Sequence, residues 1–300
     1  MQTITALVHT KNSAATLESC LASLSWCDQI WVIDMQSSDA TLKIAKKYDA
    51  RIFEEKSQLQ FADPIRNKYM QKVQTDWTLI VDSDEEVGEK LAQKIKEAML
   101  RTDVNGFLIS RQNIIFGHKF AHTGFWPDYI VRLFRTGKAT YPTTVHGQPM
   151  VVGGVDSFSA ETELALLHNH YPDVTAFISR LNNYTTLEVE KLLSKKKVYT
   201  PLDSIGAFFS EFQTRFFFQE GYKDGMHGLS LSLLMGVYSM VSVLKAWEKT
   251  KTEDGLDLLD VEAAIVDGCS NTSYWVANEK LKTEMNMVRK LWYRLKRKMR

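Results

Sequence analysis

The chain has 300 residues, of which 44% are hydrophobic and 24% are charged, and its formal net charge is +1. This length suits one catalytic domain with an appendage or two modest domains, and the composition is that of an ordinary globular protein. So small a net charge excludes a global basic field of the kind that attracts nucleic acid.

Cysteine usage and the N-terminus indicate a cytoplasmic protein. Cys20, Cys27 and Cys269 form no C-x-x-C pair, which argues against a disulfide framework or a zinc cluster. The N-terminus lacks the basic and apolar regions of a signal peptide. The longest uncharged run, residues 228–244, is shorter than the roughly 20 residues that cross a bilayer, so a buried or interfacial helix is favoured over a spanning one.

The first hundred residues alternate predicted strands and helices. The strands are expected at 4–9, 29–34, 50–55 and 77–82, and the helices at 15–24, after Ser38 or Asp39, at 63–74 and at 88–100. Repeated βα units with apolar strands predict a parallel sheet covered on both faces, which binds ligands beyond the carboxyl ends of its strands.

The pattern then changes to strands without intervening helices, which predicts a mixed or antiparallel part of the sheet. These strands are expected at 106–116, 129–135, 139–152 and 163–169. The rest is expected to be mostly helical, with helices at 173–197, at 208–247 (broken at 221–228) and at 278–300, and a solvated loop at 248–260.

An acidic cluster, Asp82-Ser83-Asp84-Glu85, ends the fourth predicted strand. Carboxylates at this position point into the ligand crevice, where Mg²⁺ or Mn²⁺ is bound by one or two carboxylates together with substrate phosphates. The alternative is a helix N-terminus at which acidic side chains are electrostatically favourable.

Several further blocks follow one another in a fixed order along the chain. They are Thr10-Lys11-Asn12, Val32-Ile33-Asp34, residues 37–41 (SSDAT), 63–67 (DPIRN), 77–85 (WTLIVDSDE), 126–135 (WPDYIVRLFR), Val145-His146, Leu167-His168 and 221–228 (GYKDGMHG). With these blocks the chain resembles the family 2 glycosyltransferases of the GT-A fold, and most closely the branch of lipopolysaccharide-core glucosyltransferases. The resemblance runs from about Ile4 to Trp247.

The resemblance implies an α/β GT-A fold, which is Rossmann-like, with a mostly parallel sheet, a mixed part and a helical C-terminal extension. Residues 1–170 would form the catalytic domain, with a nucleotide-sugar half at about 1–100 and an acceptor half at about 101–170. Residues 171–300 would form the helical region.

The resemblance also implies roles for individual residues. Contacts to the nucleotide sugar would come from Thr10, Asn12, Asp34, Arg66, Asn67, Asp82, Ser83, Trp126 and Arg132. Asp128 would be the catalytic base, and Asp84, Asp82 and His146 would bind Mn²⁺ or Mg²⁺, with His168 near the crevice.

Several of these roles have a plainer alternative. Asp34 could be a strand-end carboxylate facing water, Arg66 a surface helix residue and Asp128 a turn cap. Trp126 is equally well explained by core packing, Arg132 by a salt bridge, and the histidines by structural hydrogen bonds.

The chain departs from the family pattern at three places. The branch often has His-Glu where this chain has His146-Gly147, and many relatives have Glu at the position of Ser13. Asp34-Met35-Gln36 also lacks an acid or a glycine after the aspartate.

The C-terminal segment 284–300 has the pattern of a basic amphipathic helix. Met285, Val288, Leu291, Trp292, Leu295 and Met299 fall near one face, and seven basic residues lie mostly elsewhere. Such a helix binds an anionic membrane interface. Packing on its own domain or on a partner chain is the alternative, and the aromatic segment 208–244 fits either a membrane platform or a homo-oligomer interface.

The resulting hypothesis is an inverting, metal-assisted hexosyltransferase of lipopolysaccharide biosynthesis. It would use a UDP-sugar and a glycan or lipid-linked acceptor, and would be peripheral at the inner face of the cell membrane. The alternatives are an inactive membrane-associated nucleotide-sugar-binding scaffold and, less favoured, a sugar-phosphate nucleotidyltransferase, which usually opens with a glycine-rich loop. The sequence has no P-loop, G-x-G-x-x-G or H-E-x-x-H motif.

Overall fold

The computed structural model describes residues 2–56, 63–142, 148–195, 197–250 and 255–298. Its backbone contacts divide the chain into two units. The first unit contains Met1–Ile115 and Trp126–His170, and the second contains Phe116–Phe125 and Tyr171–Arg300.

The strands, numbered in chain order, are β1 (Ile4–Thr10), β2 (Gln29–Asp34), β3 (Arg51–Glu54), β4 (Trp77–Asp82), β5 (Glu85–Val87), β6 (Gly106–Ile115), β7 (His118–Lys119), β8 (Asp128–Arg135), β9 (Ala139–Thr140), β10 (Met150–Val151), β11 (Val155–Ser157) and β12 (Leu166–Tyr171). The helices are α1 (Leu17–Ala22), α2 (Thr41–Ala45), α3 (Asp63–Met70), α4 (Glu89–Ala98), α5 (Val174–Ser194), α6 (Pro201–Gln213), α7 (Gly225–Thr250), α8 (Leu258–Thr283) and α9 (Met287–Lys298).

The sheet of the first unit has the strand order β3-β2-β1-β4-β8-β6-β12-β5. The strands β3, β2, β1 and β4 are parallel, and β8 is antiparallel to both β4 and β6. Buried aliphatic residues of β1 and β4 pack against α1 and α4 on one face, as the apolar strand pattern requires. The expected mostly parallel α/β sheet with a mixed part and a helical C-terminal region is confirmed.

The strand directions bring one set of polar residues to one edge of the sheet. The register pairs Thr10 with Asp34 and His9 with Asp82, so β1, β2 and β4 end together. Because β8 runs the opposite way, it begins at this edge with Asp128, which pairs with Arg111 of β6. This edge is where ligands bind in open α/β sheets.

Three element predictions for the first unit need correction. The acidic cluster runs into strand β5 before helix α4 begins. The strand expected at 139–152 is instead a pair of two-residue strands, β9 and β10, around residues 143–147, which lie outside the described part. The strand expected from residue 163 begins only at Leu166, after a 3₁₀ turn.

The second unit is helical, and two of its predictions were also wrong. Most of α8, within residues 258–283, was not predicted, and the helix expected at 278–300 is interrupted. The interruption occurs at Glu284, whose backbone is extended (ψ 127°). Asn286 then starts α9, because its Oδ1 accepts hydrogen bonds from the backbone N–H of Val288 (3.0 Å) and Arg289 (3.2 Å).

One helix in the described part of the second unit, spanning 221–250, is long and apolar enough to cross a membrane by length and composition alone. One third of its most apolar window is buried inside the structure. Val243 and Ala246 on this helix pack with Val189 of α5 and with Tyr199.

Candidate active site

Asp82, the last residue of β4, lies between two arginines. Its Oδ1 accepts a hydrogen bond from Arg66 Nη2 of α3 at 2.6 Å, and its Oδ2 accepts one from Arg132 Nη2 of β8. Arg132 is almost completely buried, so its charge depends on these partners. Both carboxylate oxygens of Asp82 are therefore engaged by guanidinium groups.

Glu85, which is completely buried, holds this arrangement from the side of β5. Its Oε1 accepts from Arg132 Nη2 at 2.7 Å, and its Oε2 accepts from the backbone N–H of Asp82 at 2.9 Å. Arg111 Nη1 lies 3.6 Å from the same Oε1. The acidic cluster thus contributes a second carboxylate, which balances the buried arginines.

The opposite charges in this cluster keep the side chains of Asp82 and Arg132 ionised. Burial alone would raise the pKa of Asp82, but Arg132 and Arg66 outweigh burial and hold that pKa well below its usual range. Burial would lower the pKa of Arg132, but Asp82 and Glu85 raise it well above the ordinary value. The carboxylate and the guanidinium both stay charged at neutral pH.

His9 of β1 lies beside Asp82 in the register and is also buried. Burial, reinforced by Arg66, lowers the pKa of His9 to about 3, so the ring is neutral at physiological pH. Neither ring nitrogen has a hydrogen-bond partner within the described ranges. The ring of Tyr69 is edge-on to the His9 ring, with the two ring centroids 6.2 Å apart.

Asp128, at the start of β8, is held through one oxygen only. Arg111 donates to Oδ2 from Nη2 (2.6 Å) and Nε (2.9 Å), and Asn113 Nδ2 donates to the same atom at 3.2 Å. Within the described part of the chain, Oδ1 accepts no hydrogen bond from protein. The orientation of the carboxylate is therefore fixed while one oxygen keeps its lone pairs available to a ligand.

Asn113 links Asp128 to His168, which in turn lies beside Asp84 of the acidic cluster. Because a carboxylate only accepts, the Asn113 amide must turn Nδ2 to Asp128 and Oδ1 to His168. His168 Nδ1 lies 2.7 Å from that Oδ1 and therefore donates. In the neutral form of the ring, the lone pair is then on Nε2, which lies 3.6 Å from Asp84 Oδ1.

At the ends of β1 and β2, two buried polar atoms have no hydrogen-bond partner among the described residues. They are Thr10 Oγ1 and Asp34 Oδ1. The other oxygen of Asp34 accepts from the backbone N–H of Ser37 at 3.1 Å. Asn12 instead supports the loop, since its Oδ1 accepts from the backbone N–H of Ser38 at 2.8 Å.

The remaining predicted residues differ in their surroundings. Asn67 makes two 2.8 Å hydrogen bonds with the backbone of Tyr141, and Arg66 Nη1 donates to the hydroxyl of Tyr141 at 3.0 Å. Ser83 Oγ lies 2.8 Å from Ser13 Oγ, and Trp126 is half-buried. His146 lies outside the described residues.

Sequence reasoning did not identify Arg111 and Asn113, nor the structural role of Glu85. A signal was present, because Arg111 and Asn113 are two residues apart on strand β6 and so share one face. Among the described residues, no group of three or more His, Cys, Asp or Glu side chains gathers as a metal site. Asp84 and His168 lie next to each other, with 3.6 Å between Asp84 Oδ1 and His168 Nε2.

Comparisons with known proteins give matches by family model, by sequence and by structure. The family model described as glycosyl transferase family 2 matches residues 5–159. The lipopolysaccharide core biosynthesis glycosyltransferase LpsC of Rhizobium meliloti (strain 1021) is 23% identical over 265 residues, covering 82% of this chain and 92% of the relative. An uncharacterized glycosyltransferase of Rickettsia bellii (strain RML369-C) is 24% identical over 241 residues, covering 74% and 79%.

Among solved structures, the mannosyltransferase PcManGT from Pyrobaculum calidifontis, in complex with GDP-Man and Mn²⁺, gives a TM-score of 0.47 at 12% identity. That comparison covers 98% of this chain and 83% of the other.

Proposed function

Because the chain belongs to glycosyl transferase family 2, and is therefore a glycosyltransferase, we propose that it transfers a hexose from a UDP-sugar to a hydroxyl group with inversion. The observation that carries the proposal is the carboxylate of Asp128. Arg111 and Asn113 both bind its Oδ2, so its Oδ1 is left open at the edge of the sheet where β1, β2 and β4 end.

In the proposed reaction, Asp128 Oδ1 takes the proton of the acceptor hydroxyl. The hydroxyl oxygen attacks the anomeric carbon, and the bond between that carbon and the diphosphate oxygen breaks. The nucleoside diphosphate leaves with the electron pair. A base positioned in this way contributes typically 10²–10⁴-fold to the rate.

The diphosphate would lie against the arginine cluster that Asp82 organises. Arg66 and Arg132 carry the guanidinium groups that would face it, and their positions are fixed by Asp82 and Glu85 before substrate binds. Since both oxygens of Asp82 are already engaged, we assign Asp82 to holding these arginines. Ser83 and Trp126 remain predicted contacts to the donor.

A divalent cation, Mn²⁺ or Mg²⁺, fits the pair formed by Asp84 and His168. A carboxylate oxygen lies 3.6 Å from an imidazole nitrogen that bears a lone pair when the ring is neutral, and Asn113 fixes the tautomer of that ring. Such ions use one or two protein ligands and complete their shell with substrate phosphates and water. When bound, the ion would offset the negative charge that develops on the leaving diphosphate.

The nucleoside would be recognised at the ends of β1 and β2. The buried Thr10 Oγ1 and Asp34 Oδ1 are two polar atoms without protein partners in the described part, and such atoms are costly unless a ligand satisfies them. Asn12 would shape this subsite through the loop to Ser38.

For the acceptor, we propose a lipopolysaccharide core or another lipid-linked saccharide, because the LpsC relative is named for core biosynthesis. The reaction would then take place in the cytoplasm at the inner face of the cell membrane, where such acceptors are presented.

The proposal is tested by measuring the melting temperature with UDP, GDP and their sugar conjugates, with and without Mn²⁺. A ligand at 100 times its Kd adds about 2.7 kcal/mol to the stability of the folded state. A rise with one nucleotide that requires the metal is expected. A properly folded protein that responds to none of these compounds would contradict the proposal and favour an inactive scaffold.

A further inference from the structure

All the charged residues of helix α9 are basic. Between Met287 and Lys298 it has no acidic residue, and six of its twelve residues are basic. These are Arg289, Lys290, Arg294, Lys296, Arg297 and Lys298. The helix therefore presents a concentrated positive surface on a chain whose formal net charge is only +1.

The polar side of α9 is the side that packs within its own unit. The half-buried residues of the helix are Lys290, Tyr293 and Lys296, which are spaced three apart and so lie on one side. Next to this stripe, Arg297 Nη1 lies 3.3 Å from Asn278 Oδ1 of α8. Contact with the rest of the unit is thus made by a tyrosine and the stems of basic side chains.

The apolar side faces away from these contacts. Val288, Leu291, Trp292 and Leu295 follow one another at spacings of three, one and three residues, and each is more than half exposed (78%, 58%, 53% and 57%). A helix of a soluble domain normally turns such a stripe toward the core. Here an apolar stripe flanked by basic residues is presented to the exterior.

We propose that the exposed face of α9 binds the surface of an anionic phospholipid bilayer. The apolar stripe would enter the boundary between headgroups and acyl chains, Trp292 would lie at the headgroup level, and the flanking basic residues would contact lipid phosphates. A second copy of the helix would instead bring six cations against six cations, which is unfavourable. The inference depends on α9 alone and holds whichever donor the enzyme uses.

The test is sedimentation of the full chain with extruded vesicles of phosphatidylcholine alone or of equal parts phosphatidylcholine and phosphatidylglycerol. Binding to the anionic vesicles only is expected, and it should weaken with added salt. The double variant Leu291→Ser/Leu295→Ser should bind at least about tenfold more weakly, because the apolar stripe is lost. Leu100→Ser, a matched change at an exposed leucine of the first unit (70% exposed), should bind like the wild type.

Two further measurements test whether the exposed face of α9 contacts lipid directly. Since no residue of α9 is buried, the double variant should keep the wild-type melting temperature. The emission of Trp292, obtained as the difference between wild type and Trp292→Phe, should shift to shorter wavelength on anionic vesicles. Failure of the wild type to bind, or unchanged binding of the double variant, would overturn the inference. So would a change from dimer to monomer caused by the double substitution in vesicle-free solution, because the face would then be a subunit interface.

Discussion

Replacing Arg111 by Gln should slow sugar transfer about 100-fold without weakening donor binding. Arg111 donates two of the three hydrogen bonds that fix Asp128, at 2.6 and 2.9 Å, and the shorter glutamine side chain cannot make both. Misplacement of a reacting group by about 1 Å costs on the order of 10²-fold. At 1.36 kcal/mol per factor of ten, this corresponds to about 2.7 kcal/mol of transition-state stabilisation.

The assay compares kcat and KM for transfer from the donor that the melting-temperature panel selects to a lipopolysaccharide core acceptor. The effect should fall on kcat, while the Kd of the donor changes less than about twofold, because Arg111 is assigned to the acceptor side. Arg111→Lys retains the charge without the paired geometry and should recover part of the rate. Arg101→Gln is the matched control, since Arg101 also pairs with carboxylates, those of Asp103 and Asp156, but on the exposed surface. A normal kcat in Arg111→Gln would refute the positioning role.

Three other substitutions test separate parts of the site. Asp82→Ala should lower the free energy of unfolding, measured by denaturant titration, by about 3 kcal/mol. The substitution removes one partner of the buried Arg132, while Glu85 still pairs with it. An unchanged free energy of unfolding would contradict a stabilising ion pair between Asp82 and Arg132. Asp84→Asn should abolish metal-dependent transfer and leave the melting temperature within a few degrees of wild type, and near-normal turnover would remove the metal assignment. The folded-state pKa of His9 is depressed to about 3 from an ordinary 6.5, so the unfolded chain takes up the extra proton and stability falls as pH drops below 6.5. Between pH 7 and 5.5 the wild type should therefore lose about 1.3 kcal/mol more than His9→Leu; identical pH dependence of the two proteins would contradict the neutral buried ring.

The sheet could be predicted because the pattern of each strand and helix lies within a short segment of the sequence. Apolar strands that end in polar residues and alternate with amphipathic helices can be recognised from short stretches of sequence. The polar ends of β1, β2 and β4 then meet because parallel strands end at the same edge of the sheet. The break before α9 was harder to predict. Asn286 lies within a continuous pattern of polar and apolar residues, and only its capping hydrogen bonds mark a new helix start.

The partners of each site residue were the less predictable part. Asp128 was predicted as the base, but the register that places Arg111 opposite it across an antiparallel pair is not visible in either strand alone. Likewise, both oxygens of Asp82 accept hydrogen bonds from arginines of α3 and β8, which are distant from it in sequence and could not be inferred from the acidic cluster itself. The assignment of residues 1–100 to the donor and 101–170 to the acceptor stays a prediction.

The most direct test of the account is single-turnover transfer by Asp128→Asn, with donor binding measured in the same preparation. Asparagine keeps the size and the hydrogen-bonding oxygen of the side chain but cannot take a proton at neutral pH. We expect an unchanged donor Kd and metal requirement, and a transfer rate lowered by about 10²–10⁴-fold. Transfer at nearly the wild-type rate would show that another group removes the acceptor proton, and would contradict the central claim.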